Sequence, residues 1–156
     1  MSDKGYHLPK KVQEFGKDIS ERDLKYHNKR VLVSKDFTFD AAHHLHAYEG
    51  KCCNLHGHTY KVIFGISGFT NHLGLTIDFN EIKSIWKQQI EPSLDHQYLN
   101  ESLPKMNTTA ENIVVWLYQQ IEKALHGHAN KARVEFVRLF ETPTSFAEAR
   151  REWMEE

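Results

Sequence analysis

The chain has 156 residues, 40% of them hydrophobic and 12% aromatic, enough to bury one core and short for two domains. Its formal net charge of -1 gives no positive field of the kind that sequence-independent nucleic-acid binding needs. No apolar run approaches the ~20 residues of a membrane span, and the opening "MSDKGYHLPKK" lacks the apolar centre of a secretory signal. A cytoplasmic protein with no nucleic-acid or membrane partner is therefore expected. Cys52 and Cys53 are adjacent and are the only cysteines, so a disulfide between them would be strained and free thiols are expected.

Residues 1–30 are polar, with eight Lys or Arg against five Asp or Glu and few core-sized side chains beyond Val12, Phe15, Ile19 and Leu24. They read as an N-terminal arm with a short helix over 10–15, packing on the domain or on a partner subunit; the domain itself spans 31–156. The run "RVLVSKDFTFDAAHHL" is β-branched and alternating, which predicts a strand, and "HTYKVIFGISGF" predicts a second. Along that second strand His58, Tyr60, Val62, Phe64 and Ile66 share a face, because side chains alternate at period two.

In "IDFNEIKSIWKQQIEP", Asp78 and Glu81 form a capping-box-like start, and Phe79, Ile82, Ile85, Trp86 and Ile90 make an apolar stripe at helical spacing. This helix should stop near Pro92. The next helix is "TTAENIVVWLYQQIEKAL", with Thr108 and Glu111 as a second capping box and Ile113, Trp116, Leu117, Ile121 and Leu125 buried. "ARVEFVRLFET" and "SFAEARREW" predict two more strands joined at Thr142-Pro143-Thr144. The order strand-strand-helix-helix-strand-strand predicts an α+β fold: a four-stranded antiparallel sheet with two helices on one face and open edges that favour pairing between subunits.

Residues 41–60 hold five of the eleven histidines and both cysteines. His56 and His58 sit two apart at the start of a strand, so both imidazoles point to one side. An HxH pair on a strand presents two nitrogens to one metal, and imidazole suits zinc. The third ligand comes from His43, His44 or His46. Parity selects His43, which shares the inward face of Phe37, Phe39 and Ala41; His44 and His46 read mainly as exposed polar side chains, with either as the alternative. Three neutral imidazoles leave zinc its double charge and an open position, the pattern of a catalytic Lewis-acid site.

The ordered motifs "FDAAH", C-x3-HGH, "IDF", "LDHQYLN", "TTAEN" and "ET" resemble the 6-pyruvoyltetrahydropterin synthase superfamily over about residues 31–151. Within it they are most similar to the bacterial 6-carboxy-5,6,7,8-tetrahydropterin synthases of the queuosine pathway. The resemblance implies a zinc triad at His43, His56 and His58, in agreement with parity. It implies a catalytic cysteine at Cys52, four residues before the first histidine of HGH. In the animal biopterin branch the cysteine stands six residues ahead, where this chain has Gly50, so the spacing favours the carboxy-forming branch. Cys53 matches no catalytic position.

The family's Asp-His pair falls on Asp95 and His96, its pterin anchor on Glu141, and further substrate contacts on Thr108 and Thr109. A carboxylate suits the anchor because a pterin offers two parallel N–H donors. The implied fold is the tunnelling fold, whose subunits join sheets into a barrel, commonly as a homohexamer of two stacked trimers with pockets between subunits. The implied reaction is a zinc-dependent, carbon-carbon lyase conversion of 7,8-dihydroneopterin triphosphate to 6-carboxytetrahydropterin, acetaldehyde and triphosphate, in queuosine (7-deazapurine) biosynthesis. The rivals are a synthase that keeps the carbon chain as a 6-pyruvoyl product, and a zinc- or pterin-binding protein without turnover.

Overall fold

Two long strands carry the architecture. In this computed structural model, which describes residues 19–156, β1 (Arg30–His43) and β2 (His56–Phe69) pair antiparallel along their whole length, from Arg30 opposite Phe69 to His43 opposite His56. The helix expected over 10–15 lies outside the described residues. Alternation sets the faces. Phe39, Ala41 and His43 of β1 and Tyr60, Val62, Phe64 and Ile66 of β2 are buried, while Thr38, Asp40, Thr59 and Lys61 point to the opposite, exposed face.

Strand β2 starts at His56 rather than His58, so both members of the HxH pair lie on paired strand. Between β1 and β2, a tight turn at Lys51–Cys53 returns the chain, and the Leu45 amide donates to the Cys52 carbonyl at 2.8 Å.

Helix α1 (Phe79–Ile85) continues through one widened π-type turn (Trp86–Ile90) into a 3-10 turn (Glu91–Ser93) that contains Pro92, where proline cannot supply the next helical hydrogen bond. Asp78 caps its start by accepting from the Asn80 amide at 2.8 Å. Glu81 does not close the box; its carboxylate lies 3.2 Å from His128 Nε2. Ile82, Ile85, Trp86 and Ile90 are buried as the spacing requires, but Phe79, at the first turn, is 51% exposed. Trp86 stacks on Phe37 at 4.8 Å, and Phe39 stacks on Tyr60 at the same distance. Such aromatic pairs add about 0.5–1.5 kcal/mol to the burial itself.

Among the described residues the sheet has five strands, not four, in the order β3-β1-β2-β4-β5. The extra strand, β3 (Gln97–Tyr98), pairs parallel to β1 at Ala41 and Ala42, which makes the sheet mixed. Two residues are too few to show a period, so no alternation marks this strand in the sequence. A short helix α2 (Leu99–Ser102) follows it, and then the long helix α3 (Ala110–Leu125).

The N-cap of α3 is Thr109, whose hydroxyl accepts from the Asn112 amide at 3.2 Å; Thr108, the expected cap, is fully buried and bonded elsewhere. Ile113, Leu117, Ile121 and Leu125 of α3 are buried and Trp116 is partly so.

Strand β4 (Arg133–Thr142) pairs with β2 and β5 (Ser145–Arg150) with β4, both antiparallel. The β2 register shifts at Gly65, where a Cβ would stand 2.1 Å from the Phe136 ring, so only glycine admits that ring. The last strand stops at Arg150, short of the expected Trp153. Arg151–Met154 forms a helical turn, α4, with Arg151 Nε donating to the Val134 carbonyl at 2.7 Å and Nη1 to Glu155 at 2.9 Å.

Candidate functional site

The register that sets His43 opposite His56, with His58 opposite Ala41, gathers three imidazoles at one end of the inner face. One ring nitrogen from each lies within 4.8 Å of the others. His56 Nε2 and His58 Nε2 are 3.0 Å apart, and the His43 ring centroid is 4.7 Å and 5.2 Å from those of His56 and His58.

The far nitrogens define the tautomers. His43 Nδ1 donates to the Thr108 carbonyl at 2.8 Å, and His56 Nδ1 to the Asn54 carbonyl at 2.7 Å. A carbonyl only accepts, so each Nδ1 carries the hydrogen and each Nε2 keeps its lone pair toward the cluster. His43 Nε2 is buried, and among the described residues no hydrogen-bond partner reaches it. A buried lone pair without a donor is costly, and a cation at the convergence point would satisfy all three. These residues fit a metal ion.

Burial is the main cause that holds the His43 and His58 rings below the ordinary histidine value. The Glu141 carboxylate pulls both upward but does not overcome it. Rings kept neutral by burial are ready ligands. Glu141, at the end of β4, places its two oxygens 3.9 Å from His43 Nε2 and 3.8 Å from His58 Nε2. It also lines a cavity of about 540 Å³ with His58, Tyr60 and Thr142, and another of about 340 Å³ with Leu45, Tyr48, Thr109 and Phe146. Tyr60 floors the cluster, its ring edge-on to His58 at 5.5 Å; burial, then Glu141, push its phenol far above the ordinary value and keep it neutral.

The other expected site residues are distributed differently. Thr109 lines a cavity with Glu141 but is occupied as the α3 cap. Thr108 turns inward: its carbonyl receives His43 Nδ1, and its hydroxyl lies 3.1 Å from Asn100 Oδ1. Cys52 is half-buried in the 51–53 turn and Cys53 is exposed. Among the described residues no hydrogen bond joins the Cys52 thiol to the imidazoles. His44 is partly buried and His46 exposed. Their backbones are bonded to Asn100 and Asn107, and neither joins the cluster.

Asp95 and His96 form a pair, Nδ1 to Oδ2 at 2.9 Å, on the outer side of β1. Asp95 Oδ1 accepts from the Asp40 amide at 3.1 Å, and the His96 amide donates to the Asp40 carbonyl at 2.6 Å, with His96 held at φ +58°. The Asp40 side chain points away from the face of His43, so the pair stands on the outer side of β1 and the imidazole cluster on the inner one. His96 and His58 nevertheless both line a cavity of about 600 Å³ with Asp40, Gly57 and Tyr98. Asp40 was not singled out from the sequence, although its parity opposite His43 places it beside this pair.

The hydrogen bond and charge of Asp95 raise His96 above the ordinary histidine value, and the Asp40 amide and His96 lower Asp95. A raised histidine contributes stability that is fully present below its unfolded value and is lost as pH rises through its folded one. His96 is solvent-exposed, so the expected signature is spectroscopic. Its ring resonances should titrate above free histidine, and Asp95→Asn should return them to the ordinary value; an unchanged titration in that variant would remove Asp95 as the cause.

The family model described as 6-pyruvoyl tetrahydropterin synthase matches residues 32–152. The chain is 36% identical over 140 residues to the 6-carboxy-5,6,7,8-tetrahydropterin synthase of Haemophilus influenzae, covering 74% of this chain and 96% of that one. It is 34% identical over 98 residues to the protein of the same name from Synechocystis, covering 60% and 76%.

The solved structure of the Caenorhabditis elegans 6-pyruvoyl tetrahydropterin synthase superposes with a TM-score of 0.69 at 21% identity, over 79% of this chain and 96% of that one, a likeness of fold. Among the described residues no helix is long and apolar enough to cross a membrane. The matched span takes in all three imidazoles, Cys52, the Asp95–His96 pair and Glu141, and the chain belongs to the 6-pyruvoyl tetrahydropterin synthase family.

Proposed function

We propose that the protein is a zinc-dependent 6-carboxy-5,6,7,8-tetrahydropterin synthase that converts 7,8-dihydroneopterin triphosphate and water to 6-carboxytetrahydropterin, acetaldehyde and triphosphate in queuosine biosynthesis. The observation that carries this reading is the convergence of three imidazoles on one point, with the Glu141 oxygens 3.8 and 3.9 Å from two of their nitrogens. Relatives at 36% and 34% identity bearing the carboxy-synthase name support the branch.

In this reading His43, His56 and His58 hold the ion, which when bound supplies a Lewis acid toward the side-chain hydroxyls of the substrate. Glu141 accepts the paired N–H donors of the pterin and sets the side chain beside the triad. Thr109 lends a further polar contact in the cavity that it shares with Glu141, and Thr108 acts on His43 rather than on the pterin. Cys52 takes or returns a proton at the acidified C–H. His96, charged more readily because Asp95 orients and stabilises it, serves the opposite face of the substrate. The ring gains its hydrogens at the expense of the side chain, so no external reductant is needed.

We read the pocket as completed by a neighbouring subunit in a hexamer of two trimers in the cytoplasm, a reading consistent with the Asp95–His96 pair on the outer side of β1 and the triad on its inner side. Sedimentation should return the mass of six chains, and a monomer at micromolar concentration would contradict the shared pocket. The reaction itself is tested by identifying the products formed from 7,8-dihydroneopterin triphosphate by the zinc-loaded protein.

A further inference from the structure

Asn100 has no part in the chemistry above, yet two of its hydrogen bonds hold the segment that carries His43 and a third holds Thr108, the residue that bonds the His43 ring. Its Oδ1 accepts from the His44 amide at 3.0 Å and from the Thr108 hydroxyl at 3.1 Å, while its Nδ2 donates to the His44 carbonyl at 2.9 Å. The partners fix the orientation of the side-chain amide. A backbone N–H only donates and a carbonyl only accepts, so the oxygen must face the first and the nitrogen the second. Asn100 thereby pairs with His44 as a strand would, just beyond the point where β3 stops pairing with β1 at Ala42 and Tyr98.

Its hold on Thr108 reaches His43. The Thr108 hydroxyl has one hydrogen and two acceptors in range, Asn100 Oδ1 at 3.1 Å and the His44 carbonyl at 3.3 Å. Given to either, that hydrogen leaves an oxygen lone pair facing His43 Nδ1 at 3.2 Å, alongside the Thr108 carbonyl at 2.8 Å. Both Thr108 oxygens then receive the same imidazole N–H. We propose that Asn100 is a positioning residue for the metal: by clamping the His44 backbone and the Thr108 hydroxyl, it fixes the tautomer and the aim of His43 Nε2. This rests on the metal reading of the imidazole cluster.

Partners one step behind a metal ligand are commonly worth about 10–100-fold in metal affinity. The test is zinc affinity by chelator competition, with the melting temperature of each metal-free protein recorded alongside. Asn100→Ala should bind zinc about 10–100-fold more weakly than the parent chain. Asn100→Asp keeps both acceptor contacts but sets a charged oxygen in place of the donor against the His44 carbonyl, 2.9 Å from the present Nδ2, so it too should bind zinc more weakly than the parent chain. Should Asn100→Ala fail to fold, Thr108→Val keeps the shape and the carbonyl, removes the hydroxyl that Asn100 holds, and should also weaken zinc binding.

Parent-like zinc affinity in folded Asn100→Ala or in Thr108→Val would overturn the proposal while leaving the metal site standing. A parent chain that binds no zinc would instead overturn the metal reading, and this inference with it.

Discussion

His58→Ala is expected to weaken zinc binding about 10²–10³-fold and to abolish turnover at ordinary zinc levels. The magnitude follows from structural zinc sites, where about 10–16 kcal/mol of binding is spread over four ligands, or about 2.5–4 kcal/mol each. His58 is the informative ligand to remove. It is 17% exposed and sits near the start of β2, so its loss leaves the strand pairing and the core below it intact. His43 is only 1% exposed and donates to the Thr108 carbonyl, so its removal would also strand a buried acceptor and confuse metal loss with unfolding. Metal content after dialysis against a chelator, read with the melting temperature, measures the effect. Full zinc retention in His58→Ala would contradict the triad.

Cys52→Ala should behave in the opposite way, with zinc and fold retained and turnover reduced about 10²–10⁴-fold, the usual worth of a general acid or base. The thiol is partly buried at a turn, and the turn is held by the Cys52 backbone carbonyl rather than by the side chain. Removing the sulfur therefore deletes a proton carrier without loosening the structure around it. Cys53→Ala, with an exposed thiol whose described contact is Asn54 Oδ1 at 3.8 Å, is the matching control and should leave rate and metal unchanged. Full activity in Cys52→Ala would remove the cysteine from the mechanism.

Much of this geometry was legible in the sequence because β-strands carry a strict period of two. Parity along "FTFDAAH" put Phe39, Ala41 and His43 on one face and Asp40 on the other, and the buried and exposed positions of β1 follow that order. The same rule paired His56 with His58. What escaped were features without a period. Gln97–Tyr98 is too short a strand to announce itself, and the fifth strand with its parallel pairing was missed for that reason.

Thr108 and Thr109 offered two adjacent hydroxyls for one cap. Which of them turns inward depends on tertiary partners, Asn100 and the His43 ring, that are 8 and 65 residues away. The capping box at Asp78 was half right, because His128 from a distant loop takes the Glu81 carboxylate. The hydrogen bonds of Asn100 were also invisible, since an asparagine in "LDHQYLN" carries no local sign that it clamps a strand end.

The central claim, a carboxy-forming pterin synthase, is tested most directly by mass spectrometry of an anaerobic reaction between the zinc-loaded protein and 7,8-dihydroneopterin triphosphate. The account predicts 6-carboxytetrahydropterin together with acetaldehyde and triphosphate, and none of these after the metal is stripped. A 6-pyruvoyl product with the carbon chain intact, or unchanged substrate in the presence of bound zinc, would contradict it.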